Sequence, residues 1–344
     1  AIVVMAVSVR ARWRDGADVM ADGDRDTPGA ADVPGSKSAQ PAERAVAGNV
    51  AGEISLPNGR KPSRLGDDFH LRIASGLVIA SLALAATWLG TFWFTALMVI
   101  GGVLLLFEWS RITRGTITDV ALALSIAGLV AMVVAFDMAP AWFAPVPGWL
   151  IIGVVAAIAL QALFGRDWRG GTFATFGLDY IALPVLAMLW LRADPSGGLL
   201  VTVFLFVVVW GTDIMGYVAG RYFGGPKLIP AISPKKTWSG AIGGTAVAVL
   251  GGAGIAMLEP EASFARMALL ALVFSLISQA GDLFESAIKR RYDVKDSGAL
   301  IPGHGGLLDR VDGLLFAAVG AALFALLAGP LDTPARTILV GSAG

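Results

Sequence analysis

Cysteine is absent from the 344-residue chain, which excludes disulfides, thiolate zinc sites and cysteine nucleophiles. Histidine occurs only as His70 and His304, too few for a histidine-built metal centre. Charge is scarce as well: Asp, Glu, Lys and Arg make up 15% of the chain, against roughly 25% in an average soluble domain. The 26 basic and 26 acidic side chains cancel. Without net positive charge there is no bulk attraction for a polyanion, and no nucleic-acid partner is expected. Apolar side chains are abundant instead, at 56% of residues with a mean hydropathy of +0.72. Such a surface calls for lipid around it.

Two compositional regimes divide the chain. Residues 1–66 are rich in Ala, Asp, Gly, Pro and Arg and hold no sustained apolar period. They cannot bury enough surface to offset their ordering entropy, so a disordered polar leader is expected. Its apolar start, Ala1 to Val9, is too short for a signal-peptide core, and Met5 and Met20 are candidate starts. Residues 67–330 form the working domain, and 331–344 a short C-terminal tail. Nine apolar runs recur in that domain, at 71–89, 91–108, 118–136, 147–164, 172–191, 198–220, 239–257, 265–287 and 307–328. Runs of about 18 residues cross a ~30 Å hydrocarbon core, and in lipid they must be helices, because their backbone groups need partners within the segment. The predicted architecture is an all-α polytopic membrane helix bundle with about nine transmembrane helices. The pairs Gly101-Gly102, Gly243-Gly244 and Gly251-Gly252 would let helices approach closely.

Charge asymmetry orients this bundle. Alternate loops carry Arg111 and Arg114, then Arg166 and Arg169, then Arg221, Lys227, Lys235 and Lys236, and finally Lys289, Arg290, Arg291 and Lys295. The intervening loops hold only Arg192 and Arg266. The positive-inside rule then predicts an N-in, C-out chain with the basic loops in the cytoplasm.

Nearly all the unusual polar residues flank two of these basic loops. Near the end of the eighth run, Asp282, Glu285, Ser286 and Lys289 stand at i, i+3, i+4 and i+7, one face of a helix. A carboxylate at the edge of hydrocarbon needs a partner, either an ion-paired base or a metal. Beyond it, Lys295-Asp296-Ser297-Gly298 leads to Gly303-His304-Gly305-Gly306 and then to Asp309, Arg310 and Asp312 at the start of the ninth run. Glycines there let the backbone approach a ligand and aim amides at an anion, and a helix N-terminus faces the same place. Asp282 and Asp309 meeting among Lys and Arg suits a hard cation carrying phosphate oxygens. Helix capping is the alternative for Asp309 and Asp312, and a turn-holding role the alternative for His304. The other loop follows Asp213, which interrupts an apolar helix. Ser233, Lys235, Lys236 and Thr237 there combine hydroxyls and point charges ahead of the seventh run, and phosphate binding is the favoured reading. Lys227 fits a contact with anionic lipid heads. No Walker-type GxxxxGK[ST] occurs.

The run from Ser286 to Asp312, with Lys289-Arg290, Lys295-Asp296, Gly298, Pro302-Gly303-His304-Gly305-Gly306 and Asp309-Arg310-Val311-Asp312, resembles the signature of phosphatidate cytidylyltransferases, also called CDP-diacylglycerol synthases. Ser233-Pro234-Lys235-Lys236-Thr237-Trp238 is similar to a second stretch of that family, although Ser239 stands where a glutamate is expected. The resemblance implies a bacterial inner-membrane enzyme that joins CTP and phosphatidic acid into CDP-diacylglycerol and pyrophosphate on the cytoplasmic side. It implies Mg²⁺ with room for a second cation, and a homodimer. It implies Asp282 and Asp309 as metal ligands, with Asp312 and Asp213 as further members of the acidic shell. Lys289 and Ser286 join Asp282 and Asp309 as the catalytic set. Ser233, Lys235, Lys236, Thr237, Arg290, Lys295, Asp296, His304, Gly305, Gly306 and Arg310 would hold the substrates. The rival readings are another CTP-dependent lipid enzyme, such as a polyprenol kinase or a related lipid cytidylyltransferase, and an ion-coupled transporter with Asp213 and Asp282 on its path. The acidic residues cluster at one face, which argues against a transporter.

Overall fold

A computed structural model describes residues 67–138, 171–298 and 305–341. The expected leader at 1–66, the fourth apolar run at 147–164 and His304 lie outside these residues. The described elements are α1 (Asp67–Leu89), α2 (Thr91–Arg114), α3 (Val120–Met138), α4 (Gly171–Ala193) and α5 (Gly198–Phe223). A hairpin of β1 (Lys227–Ile229) and β2 (Ser233–Thr237) follows, then α6 (Trp238–Ile255), a 3-10 turn at Ala256–Leu258, α7 (Phe264–Arg291), α8 (Leu308–Ala328) and the short α9 (Pro334–Leu339).

Among the described residues seven helices, α2 to α8, are long and apolar enough to cross a membrane. The first run forms α1, whose apolar part is the shorter Ser75–Leu89. The chain is therefore an all-α, multi-pass membrane protein, with one small departure. Residues 233–237, read from sequence only as an approach to a helix, pair antiparallel with 227–229, Lys227 facing Thr237 and Ile229 facing Ser233.

The apolar runs lack strong amphipathicity because lipid and protein interior demand the same side chains. Packing therefore selects small residues and buried polar pairs. Among the described spans α4 is the most enclosed, with Ile181, Ala182, Leu189 and Leu191 buried. α5 and α6 touch backbone to backbone: a Cβ on Gly240 would lie 2.6 Å from the Gly216 carbonyl oxygen, and one on Gly244 would run into that of Thr212. Of the glycine pairs expected to serve close approach, Gly102, Gly243, Gly244, Gly251 and Gly252 do, while Gly101 faces open space. Hydroxyls satisfy one another inside the bundle, Thr212 with Ser275 at 2.8 Å and Thr245 with Ser275 at 3.2 Å, and the Gln279 amide donates to Thr245 at 2.8 Å. These bonds tie α5, α6 and α7 together.

One end of the bundle is closed by structural ion and amide contacts. Asp194 accepts from the Ala335 and Arg336 amides at 2.8 and 3.3 Å, capping α9. Arg266 donates to the carbonyls of Thr337 and Ile338. The described part of the segment beyond residue 330 is thus packed, with Pro334, Ala335, Ile338 and Leu339 buried.

Candidate active site

Among the described residues α7 is the longest helix. Its 28 residues span about 42 Å, more than a ~30 Å hydrocarbon core, which is long enough for its polar final turns to extend past an apolar layer. Those turns carry Asp282, Glu285, Ser286 and Lys289, brought to one face by the helical period as expected. Asp282 and Lys289 find partners on other elements, whereas Ser286 and Glu285 find theirs within α7. Lys236 at the end of β2 forms an ion pair with Asp282, and the Ser286 hydroxyl stands 3.5 Å from Asp282 Oδ1. Lys289 Nζ lies 2.6 Å from Glu285 Oε2 and 2.5 Å from Asp309 Oδ1, so one ammonium joins two carboxylates on α7 and α8.

Asp309 does a second task with its other oxygen. Oδ2 accepts from the amides of Ser297 and Gly306, both at 3.1 Å. Gly305 beside it has φ of +85°, a left-handed conformation that glycine tolerates. The amides that Asp309 holds belong to the loop ahead of α8 and not to the helix itself. Asp312, one turn on, is buried and accepts from the Gly313 amide at 2.7 Å. It lies within electrostatic range of Asp282, Glu285 and Asp213. Asp213 on α5 is in turn within range of Asp282, Lys236 and Arg310. Two predicted clusters, far apart in sequence, therefore meet at one end of the bundle.

Other predicted residues take a different place. Thr237 is the N-cap of α6, its hydroxyl accepting from the Gly240 amide at 3.2 Å and meeting the Ser239 hydroxyl at 3.0 Å. Ser239, where a glutamate was expected, donates to the Gly224 carbonyl and closes the base of the hairpin. Ser233 is half-buried on β2. Lys235, Arg290, Lys295 and Asp296 are exposed and make no side-chain ion pair among the described residues. Arg310 is exposed at the start of α8.

One residue was missed by the sequence reading. Glu108 on α2 is 5% exposed. Its Oε1 accepts from the Leu307 amide at 2.8 Å, and its Oε2 from the Leu308 amide at 2.7 Å and the Ser297 hydroxyl at 3.1 Å. The amides at the α8 N-terminus, expected to face a ligand anion, are in this way held by the protein's own carboxylates. The sequence signal was a lone carboxylate closing an apolar run, which helix-end snorkelling explained equally well.

No group of three or more His, Asp or Glu within metal-holding reach occurs among the described residues. Asp309 already spends both oxygens, whereas Asp282 pairs through Oδ2 with Lys236 and Asp312 accepts from the Gly313 amide through Oδ1. Two hard carboxylates of this kind fit a cation such as Mg²⁺, which takes one or two protein carboxylates and completes its shell with water and phosphate oxygens.

The sequence pattern of the cytidylyltransferase family matches residues 70–328. The chain is 39% identical over 267 residues to a phosphatidate cytidylyltransferase of Brucella suis biovar 1 (strain 1330), covering 78% of this chain and 97% of that protein. It is 40% identical over 264 residues to one from Brucella abortus biovar 1 (strain 9-941), covering 76% and 96%. A phosphatidate cytidylyltransferase of Rickettsia bellii (strain RML369-C) is 33% identical over 196 residues, 55% of this chain and 84% of that one. The matched region runs from α1 to the end of α8 and contains every side chain of the polar constellation at the bundle end: the chain belongs to the cytidylyltransferase family.

Proposed function

We propose that this chain is an integral-membrane transferase that condenses CTP with phosphatidic acid to give CDP-diacylglycerol and pyrophosphate. The observation that carries the reading is the joining of β2, α7 and α8 through Lys236–Asp282 and Glu285–Lys289–Asp309. It sits where an apolar bundle ends, within reach of a soluble nucleotide and a bilayer lipid at once.

In this reaction an oxygen of the lipid phosphate attacks the α-phosphorus of CTP, a new P–O bond forms, and the α–β bridging P–O bond breaks with its electron pair leaving on pyrophosphate. The attacking oxygen is already ionised, so no strong base is required. Positioning and charge neutralisation are what the site must supply. Lys236, Lys235 and Ser233 on the hairpin are assigned to the nucleotide phosphates. Lys289, Ser286, Arg290, Lys295 and Arg310 are assigned to the meeting point of nucleotide and lipid phosphate. Thr237 contributes by fixing the start of α6 directly after Lys236. Asp282 and Asp312 would hold Mg²⁺, with Asp213 behind them, and Asp309 would join only by giving up Lys289 or an amide. Bound there, the cation neutralises phosphate-oxygen charge. The alternation of basic loops supports an N-in, C-out path of nine spans, with this end on the cytoplasmic side of a bacterial inner membrane.

The reading is tested with detergent-solubilised full-length protein, labelled CTP, Mg²⁺ and phosphatidic acid. Labelled CDP-lipid and pyrophosphate are expected together. Release of CDP with a phosphorylated lipid would assign a kinase instead, and no labelled product would overturn both.

Lys236→Ala tests the hairpin. Loss of one charge-assisted contact should raise the KM for CTP about tenfold and leave the dependence on phosphatidic acid nearly unchanged. An unchanged CTP dependence would remove Lys236 from the nucleotide site.

A further inference from the structure

Glu108 is a buried carboxylate at this end that the reaction, as assigned above, does not use. Its three donors come from both sides of the segment joining α7 to α8: the Ser297 hydroxyl before it, the Leu307 and Leu308 amides after it. The described residues on either side of that segment are packed close against this carboxylate. A Cβ on Gly298 would lie 2.8 Å from Glu108 Oε1, and one on Gly306 would lie 2.8 Å from Oε2, so neither position has room for a side chain while Glu108 stays in place. Ser297, 2% exposed, answers to two carboxylates, its hydroxyl to Glu108 and its amide to Asp309. Asp309 in turn holds Lys289. A continuous chain of charge-assisted contacts thus runs from α2 through Ser297 and Asp309 to Lys289.

We propose that Glu108 is a positioning residue for the transfer reaction: it clamps Ser297 to the first turn of α8 and thereby sets the placement of Asp309 and Lys289. The inference rests on the function proposed above. Glu108 itself touches no substrate. A carboxylate is required because a backbone N–H donates to each of its oxygens, so an amide would in either orientation turn its N–H groups toward another donor. α2 then becomes a fixed strut for the site, which explains why a carboxylate is kept in an otherwise apolar span despite its cost.

Glu108→Gln, Glu108→Asp, Ser297→Ala and the Glu108→Gln/Ser297→Ala double variant are assayed as full-length protein in detergent with CTP and phosphatidic acid varied. Glu108→Gln should lower kcat about 50-fold with both KM values within about threefold, since a misplaced but still charged site binds and fails to turn over. Glu108→Asp, which keeps the charge, should recover about tenfold of that loss, and Ser297→Ala should cost about tenfold. The double variant should be no slower than Glu108→Gln alone, because both act through one link. Wild-type kcat in Glu108→Gln, or losses that multiply in the double variant, would overturn the proposal. If Glu108→Gln does not fold, wild-type kcat in Ser297→Ala does so. Hydrogen exchange of peptides spanning 305–311 gives a reading independent of activity. Exchange should quicken about tenfold in Glu108→Gln as donors to a charged acceptor are released, and unchanged exchange would overturn the clamp even if the wild type made no CDP-lipid.

Discussion

Asp309→Asn is expected to reduce turnover by about 100- to 1,000-fold while the protein still elutes as a folded bundle. The reason lies in what surrounds its two oxygens. Oδ1 receives the Lys289 ammonium and Oδ2 receives two backbone amides. All of these are donors, so an asparagine NH₂ group faces a donor in either orientation. Turned toward Lys289, it leaves that cation with Glu285 alone; turned toward the loop, it pushes Ser297 and Gly306 apart. Neither rearrangement reaches the apolar interior around α4, where Ile181 and Leu191 are buried. Initial rates at saturating CTP and phosphatidic acid, with size-exclusion profiles alongside, check this. Near-normal turnover would take Asp309 out of the machinery.

The second large effect is expected from a single methyl group. Gly306→Ala places a Cβ against the Ser297 hydroxyl and 2.8 Å from both Glu108 Oε2 and the Gly298 amide nitrogen. Two of these obstacles are fixed, one by the backbone and one by three hydrogen bonds, so the loop must open. A displacement near 1 Å at the Asp309–Lys289 pair would cost about 100-fold in rate, and the steric strain about 1–3 kcal/mol in stability. Gly101→Ala is the matched control: nothing lies within 4 Å of its Cβ, and its effect on stability should stay within about 0.5 kcal/mol. Thermal melts and initial rates on the two variants separate the steric argument from a general intolerance of substitution. A Gly306→Ala protein with wild-type rate and melting midpoint would show that the loop is not held at this position.

Much of this was legible in the sequence because membrane insertion leaves an imprint that needs no tertiary information. Run length and hydropathy are local properties, and they marked the runs at 91–108, 118–136, 172–191, 198–220, 239–257, 265–287 and 307–328 that α2 to α8 realise. Helical period is local too, so Asp282, Glu285, Ser286 and Lys289 could be placed on one face before any packing was known. The hairpin was less visible: Ser233 to Thr237 has little strand character, and its pairing with Lys227 to Ile229 depends on the turn between them.

What sequence alone determined, then, is that the chain is a helical membrane protein whose few charges gather at the edges of its spans, in a pattern resembling lipid cytidylyltransferases. The tertiary structure decided how each charge is spent. It paired Lys236 with Asp282, gave both Asp309 oxygens to Lys289 and the loop amides, and filled the α8 N-terminus with Glu108. None of these follows from spacing, because each partner lies on another element, in the case of Glu108 nearly 200 residues away. The physical reason is that lipid fixes where a segment may be polar, while only the packing of one span against another determines which donor a buried carboxylate meets.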